Sequence, residues 1–239
     1  MDSLTTIPDQ SVDMILCDLP YQVTRNSWDV QLPLEELWKQ YLRIAKANAA
    51  ICLHADGMFM AQLMMSQPKL WRYNLVWDKK LVSGFLNAKR MPLRRHEEIC
   101  VFYRKQPIYN PQKTPGAITH SRGDLSRPVA RHNYGAHHKT VSDTSGMKYP
   151  TSVLTFQKPH PSVAVHPTQK PVELAEWLIA TYTDPGAVVL DNCMGSGTTG
   201  VAAAKLGGRA FIGIEKNPEY FDIAQQRIMA AVDEEASGA

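Results

Sequence analysis

The sequence predicts an α/β fold: a mostly parallel sheet covered by helices on both faces. Three observations carry this. Short apolar runs alternate with stretches of helical spacing at both ends of the chain. One apolar run, Val188–Asp191, enters a glycine-rich turn that opens a helix. With 44% hydrophobic and 21% charged residues in 239, there is enough apolar material for one core of moderate size.

Element by element, Val12–Cys17 is an apolar run that ends at Asp18-Leu19-Pro20, hence a buried strand entering a loop. Leu34, Leu37, Trp38, Tyr41, Leu42 and Ala45 recur at helical spacing and place an amphipathic helix over 33–46. Ala49–His54 reads as a strand and Gly57–Ser66 as a helix stopped before Pro68, with Met58, Met60, Met64 and Met65 as helix packing. Tyr73–Trp77 and Glu97–Tyr103 are further strands. A helix starts at Pro171 and runs to about Tyr182, followed by strand Ala187–Asp191, helix Thr198–Leu206 and strand Arg209–Glu215. The last helix takes Asn217 as its N-cap, with Pro218 and Glu219 in the first turn, and runs to about Val232.

Composition excludes several classes. No apolar run approaches the roughly 20 residues of a bilayer-spanning helix, and the N-terminus has no basic stretch followed by an apolar one. Cys17, Cys52, Cys100 and Cys193 are far apart, which argues against zinc or a disulfide framework and for a reducing cytoplasm. His54 and His96 are single histidines at strand ends and read as scaffold; no metal site is expected.

Charge is uneven. The chain carries +3 overall, yet Arg104 to Lys170 holds ten basic residues against Asp124 and Asp143, so this stretch is +8 and the remainder −5. It is also rich in histidine and proline, a poor core builder. Residues 105–160 therefore read as a surface insertion between an N-terminal half, 1–104, and a C-terminal half, 161–239. Such an insertion is either a solvated loop or a surface that follows a phosphate backbone.

Two turns carry chemistry. In Asp191-Asn192-Cys193-Met194-Gly195-Ser196-Gly197-Thr198-Thr199-Gly200 the glycines match G-x-G-x-x-G, and Glu215 ends the next strand, where a carboxylate can accept from ribose hydroxyls. Only 24 residues follow Glu215, too few for the rest of a dinucleotide-binding half. Asp191 would also repel a pyrophosphate but welcome a cation such as the ammonium and sulfonium of S-adenosylmethionine. The second turn is Asp18-Leu19-Pro20-Tyr21. A nucleobase amine is a poor nucleophile because its lone pair is delocalised into the ring. A carboxylate and a carbonyl that accept both N–H bonds free that pair, while an aromatic ring stacks on the extruded base. Asp18, the Leu19 carbonyl and Tyr21 supply these parts, and Pro20 stiffens the turn. The bland reading, a Pro turn beside a buried tyrosine, weakens once both turns occur in one chain.

Together these blocks resemble the amino-methyltransferases of DNA, in the permuted arrangement called the beta class. Asp18-Leu19-Pro20-Tyr21 resembles the catalytic D-P-P-Y, with Leu19 for the first proline. The segment around His96-Glu97-Glu98-Ile99 resembles the block ending the catalytic half. His166-Pro167-Thr168-Gln169-Lys170-Pro171 matches H-P-T-Q-K-P, and the 191–199 block resembles D-P-F-x-G-S-G-T-T, with Asn192 and Cys193 changing one apolar wall.

The resemblance implies a circularly permuted, Rossmann-like S-adenosylmethionine-dependent methyltransferase fold with a seven-strand-type sheet. The catalytic half would be 1–104, the target-recognition region 105–160 and the cofactor half 161–239. It implies a catalytic Asp18, Leu19, Pro20 and Tyr21. The cofactor set is Asp2, Asp18, His166, Thr168, Lys170, Asp191, Cys193, Met194, Gly195, Ser196, Gly197, Thr198, Thr199, Glu215 and Lys216. Asp2 falls where a carboxylate facing the cofactor's adenine is expected, without the strand that normally precedes it, so a shortened sheet edge or a late start is expected.

An initial Asp in the catalytic block favours adenine N6, with cytosine N4 as the close alternative. Double-stranded DNA is the partner, met by Trp28, Lys79, Arg94, Arg122, Arg127, Arg131 and Lys139. No membrane is implied; a homodimer and a cognate restriction nuclease are admitted without either being fixed. Trp28 is equally a lid residue, Lys79 with Lys80 reads first as a polar patch following a strand that could meet phosphate, and His137-His138-Lys139 reads at least as well as a solvated loop. Rival functions are a silent DNA-binding protein of the same fold and a methyltransferase acting on RNA or protein nitrogen. The location implied is a bacterial cytoplasm, host- or phage-encoded.

Overall fold

The computed structural model describes residues 2–20, 33–116, 145–160 and 169–238, and the backbone of 129–131 and 135–137. In chain order the elements are α1 (Asp2–Thr5), β1 (Val12–Cys17), α2 (Leu34–Ile44), β2 (Ala45–Ala55), α3 (Gly57–Ser66), β3 (Trp71–Ser83) and β4 (Arg94–Phe102). They continue with β5 (Thr114–Pro115), β6 (Val129–Arg131), β7 (Gly135–His137), β8 (Met147–Lys148) and β9 (Val153–Thr155). The C-terminal part comprises α4 (Val172–Tyr182), β10 (Val188–Asp191), α5 (Thr198–Leu206), β11 (Ala210–Gly213) and α6 (Pro218–Gly238).

The central sheet has seven strands in the order β11-β10-β1-β2-β4-β3-β9. Only β4 runs against the others: it is antiparallel to both β2 and β3, while the remaining neighbours pair in parallel. The expected mostly parallel α/β fold is thus borne out. The C-terminal strands β10 and β11 lie beside the N-terminal β1, so the two ends of the chain build adjacent parts of one sheet. Met14 stands level with Val189 on β10 and Ala50 on β2, which brings the loops after β1, β2 and β10 to one edge.

Each face of the sheet has its own core. On β1, Ile15 and Cys17 face one way and pack with Leu37, Trp38, Tyr41 and Ile44 of α2 and with Phe59 and Leu63 of α3. Met14 and Leu16 face the other way, against Leu174, Leu178 and Ile179 of α4 and Ala202 and Ala203 of α5. This period-two split inside one apolar run is what a strand buried on both faces requires. The amphipathic reading of α2 follows from Leu37, Trp38, Tyr41 and Ile44, its buried stripe. Trp38 also donates Nε1–H to Ser66 Oγ at 2.8 Å, joining α2 to the end of α3. The Asn217 cap is present: its Oδ1 accepts from the backbone N–H of Glu219 at 2.9 Å and of Tyr220 at 3.4 Å.

Several elements differ from the sequence expectation: α1 was not expected, β2 starts at Ala45, and α6 runs to Gly238. β3 runs on to Ser83 and β4 begins at Arg94, because polar pairing, with Arg95 against Asp78, continues the ladder after the apolar signal has ended. β9 was unexpected; three residues leave no periodicity to read, and its pairing with Val76–Asp78 is a long-range event. The basic insertion, expected over 105–160, forms a compact unit over Pro111–Thr151, built from the short ribbons β5·β8 and β6·β7. Its flanks belong to the main body: Lys105 N–H donates to Ala47 O, and Lys158 N–H to Lys79 O. Among the described residues no helix is long and apolar enough to cross a membrane.

Candidate active site

The glycine turn after β10 is shaped by its own carboxylates. Asp191 is 4% exposed; its Oδ1 accepts from Cys193 N–H at 3.1 Å and its Oδ2 from Thr199 Oγ1 at 2.7 Å. Glu215, after β11, accepts from Gly195 N–H through Oε2 at 2.9 Å and from Asn217 N–H through Oε1 at 2.8 Å. Gly197 caps α5 in the left-handed region, φ +79°, and a Cβ there would come 2.8 Å from that of Ala224 on α6. At Gly200 a Cβ would strike Ile228 and Phe211, so the last glycine of the motif serves helix packing. Arg227 of α6 donates to both the carbonyl and the hydroxyl of Ser196. Tyr41, wholly buried on α2, donates its hydroxyl to Asn192 Oδ1, the residue standing where the resembling block has proline.

These contacts sort the expected cofactor residues. Glu215 and Gly195 meet just after β11 and β10, and Cys193 and Met194 precede Gly195 in the turn. Ser196, Thr198 and Thr199 are buried and shape the loop, while Lys216 is exposed. The sequence reads Asp191 as a carboxylate that would welcome a cation. It is buried and committed to the turn, and burial lifts it to about 6, against the pull of the Thr199 hydroxyl and the Cys193 amide. Asp2 is exposed and opens the single-turn α1; the carbonyls of Leu4 within it and of Ile7 after it accept from Arg43 near the end of α2. Among the described residues no hydrogen bond or ion pair joins Asp2 to the glycine turn.

The second turn is the start of an ion cluster. Leu19 is buried and Asp18 and Pro20 are half-buried where the chain leaves β1. Lys170, just before α4, lies 2.7 Å from Asp18 Oδ2 and 3.3 Å from Glu97 Oε2. Glu97 also meets Lys79 at 3.1 Å, with the two side chains 16% and 6% exposed. Trp77 faces Glu97 across β3 and β4, which brings Lys79 and Glu97 to this same edge. Burial would raise Glu97, but Lys170 and Lys79 override it and hold the carboxyl at about 2. His54, at the end of β2, is pushed down to about 4 by burial and then by Lys170, and so is neutral at pH 7. Its ring meets Trp77 edge-on, and its Nδ1 has no hydrogen-bond partner among the described residues. Burial also lowers Lys158, which adds a third lysine to the group.

Lys79 corrects an expectation. Read from the sequence as a phosphate contact, it turns inward to Glu97 and cannot also lie on a phosphate backbone. Arg94 is exposed and bridges to Asp56 at 2.6 Å. Lys170, expected at the cofactor, pairs with Asp18, a member of both the catalytic and the cofactor set. Glu97 was visible in the His96-Glu97 pair but had no role assigned; a glutamate one strand away from a lysine is the signal that could have found it. Tyr21, Trp28, Arg122, Arg127, Lys139, His166 and Thr168 lie outside the described residues, and of Arg131 only the backbone in β6 is described. Among the described residues no group of three His, Cys, Asp or Glu is arranged to hold a metal.

Two carboxylate-bearing turns, on the neighbouring strands β1 and β10, thus open at one sheet edge, one built around Glu215 and Gly195, the other around Asp18 and its lysine. Comparison with known proteins bears on what such a pair can do. A family model described as DNA methylase matches residues 12–226. The type II methyltransferase M.BglII of Bacillus subtilis is 29% identical over 98% of this chain and 68% of its own length. The chain spans about two thirds of the length of the curated relatives it matches. Among solved structures, the M1.HpyAVI–SAM complex aligns with a TM-score of 0.62 at 22% identity, over 95% of this chain and 91% of that one. PvuII DNA methyltransferase (cytosine-N4-specific) aligns with a TM-score of 0.64 at 13% identity, over 99% and 89%.

Proposed function

Because the chain belongs to the DNA methylase family, whose model spans 12–226, we propose that it methylates DNA at an exocyclic amine, with S-adenosylmethionine as methyl donor and adenine N6 as the target. The observation that carries this reading is the placement of Asp18 and Leu19 at the end of β1, on the strand next to the glycine turn that follows β10.

The residues of the second turn fit the donor. Glu215 keeps acceptor capacity on both oxygens, since a carboxylate has about four lone-pair sites and the Gly195 and Asn217 amides use two. That suits a ribose diol. Bound there, S-adenosylmethionine would supply an electrophilic methyl group. Asp18 and the Leu19 carbonyl would accept the two N–H bonds of the base amine and turn its lone pair toward that methyl. Lys170, 2.7 Å from Oδ2, fixes one side of the Asp18 carboxylate. The base reaches this pocket by leaving the duplex, and Tyr21 is assigned to stack on it.

Asp18 and not serine at the head of the block favours adenine. Cytosine N4 is the second reading, favoured by the likeness to a cytosine-N4-specific enzyme; both amines present nearly the same geometry to Asp18 and Leu19. Methylation at cytosine C5 is disfavoured because Cys17 lies buried in β1, where burial raises its thiol well above the usual value. Mass spectrometry of nucleosides from DNA treated with protein and donor tests the reading. N6-methyladenine is the expected product. N4-methylcytosine would reassign the base, and 5-methylcytosine or no product at all would overturn the mechanism.

Asp191 gives the donor site a pH signature. Its folded value of about 6 means the buried carboxyl is protonated below that pH. A cationic ligand nearby favours the ionised form, so binding below pH 6 must expel a proton. Affinity for S-adenosylmethionine is therefore expected to be flat above pH 7 and to fall toward about tenfold per pH unit well below 6. Asp191→Asn should weaken binding and flatten this dependence. Calorimetry at pH 5, 6 and 7.5 checks it; an affinity that is constant over that range would place the ligand's charge elsewhere.

A further inference from the structure

The hairpin between β3 and β4 carries a feature that neither turn uses. β3 outruns the end of its apolar signal, Ser83 pairs with Arg94, and the chain reverses between them. Gly84, at φ +84°, opens that reversal and Phe85–Asn87 form a single 3-10 turn. At its tip Phe85 is 77% and Leu86 84% exposed, with Val82, Met91 and Leu93 exposed alongside. Scattered apolar residues on a surface are ordinary; five on one short reversal form a patch that calls for an occupant.

Charge identifies the occupant. From Lys79 to Arg95 there are six basic residues and no acidic one. Lys79 faces inward, and Arg94 and Arg95 pair with Asp56 and Asp78. Lys80, Lys89 and Arg90 are exposed and, among the described residues, outside any ion pair. An apolar tip on a cationic stem complements a polymer with anions outside and stacked aromatic rings inside. The root of the hairpin adds position: Asp78 and His96 follow directly on Trp77 and Glu97, and Glu97 is tied through Lys170 to Asp18. The foot of this hairpin thus adjoins the ion cluster that holds Asp18. From Asp78 the strand runs on to Ser83, with a register shift and Lys80 in the left-handed region, which puts the tip on the order of 15 Å away.

We infer that residues 84–93 form a wedge that enters the base stack of duplex DNA beside the target. Phe85 and Leu86 fill the space left by the extruded base, while Lys80, Lys89 and Arg90 hold the flanking phosphates. The inference rests on the DNA methyltransferase reading and adds to it the element that opens the duplex.

Phe85→Ser combined with Leu86→Ser tests it, since both side chains are exposed and the fold does not need them. The substrates are two oligonucleotide duplexes containing the site mapped in host DNA. In one the target base is paired; in the other it lies opposite an abasic position, so that extrusion is already easy. The double variant should lose about 10–100-fold in kcat/KM on the paired duplex and less than about threefold on the abasic one. Its Tm and its affinity for S-adenosylmethionine should match the parent chain. Equal losses on both duplexes, or no loss on either, overturn the wedge. So does a parent dimer that the substitutions split into monomers, because the patch would then join two copies. A parent chain that binds donor yet methylates neither duplex would instead bring down the DNA methyltransferase reading, and the wedge with it.

Discussion

Asp18→Ala should cut methyl transfer by about 10²–10⁴-fold while leaving S-adenosylmethionine affinity within a few-fold of the parent chain. The carboxylate sits at the end of β1 and pairs with Lys170, 2.7 Å away, in the cluster that also holds Glu97. Among the described residues no hydrogen bond or ion pair joins Asp18 or Lys170 to Glu215 or Gly195, so the loss should fall on chemistry and not on donor binding. Asp18→Asn should recover part of the rate, because an amide oxygen can still accept from the base amine. Glu215→Ala should show the converse pattern. It removes the acceptor of the Gly195 and Asn217 amides and the candidate ribose partner, weakening donor binding by about 1.5–3 kcal/mol. Calorimetry and single-turnover rates on the same preparations separate the two. If Asp18→Ala lost donor binding together with activity, Asp18 would be a scaffold or donor residue and the catalytic assignment would fall.

Local signals carried most of the fold. The glycine turn, the apolar runs of β1 and β10, and the Asn217 cap are short-range patterns whose physics is complete within a few residues. They survived intact in the structure, down to the limits of α3 and α5. What the sequence hid is of long range. Asp18 meets Lys170 across 152 positions, and β9 finds β3 with only three residues to announce it. Lys79 shows the cost of local reasoning: a lysine just past an apolar strand looks solvent-bound until the partner strand puts Glu97 beside it. Asp191 shows the same in the opposite sense. Its place at a strand tip suggested a charge that would welcome a cation, but the Thr199 hydroxyl that claims it comes from the first turn of the next helix. Both turns can be read from the sequence, whereas the bridge that Lys170 makes between Asp18 and Glu97 cannot.

The buried cluster makes a strong demand on stability. Glu97→Gln should destabilise the folded chain by about 3–5 kcal/mol, because it strands Lys79 and Lys170 with less negative charge at a largely buried site. The pair is not thereby a source of net stability. Replacing Glu97 with Gln and Lys79 with Met together should recover much of the loss, since removing both charges also removes their desolvation penalty. The pH dependence follows with a definite sign. Glu97 is held at about 2 in the folded chain, below its ordinary 4.5, so its contribution is fully present above pH 4.5. It is lost as pH falls through 2. His54 acts in the same direction over a higher range. Its value is about 4 against an ordinary 6.5, so acid favours the unfolded chain, where it can charge. Between pH 3.8 and 6 Asp191 opposes this, because its raised carboxyl binds a proton more readily in the folded chain. Glu97 should therefore dominate the loss below pH 4, and the Gln variant should lack that part of the acid limb. Urea titrations at pH 3, 4 and 7 measure each contribution. A loss under 1 kcal/mol at pH 7 would mean that the lysines reach water once Glu97 is gone. Lys170 would then be free to leave Asp18, which no folded site that fixes a base amine could tolerate without a matching fall in rate.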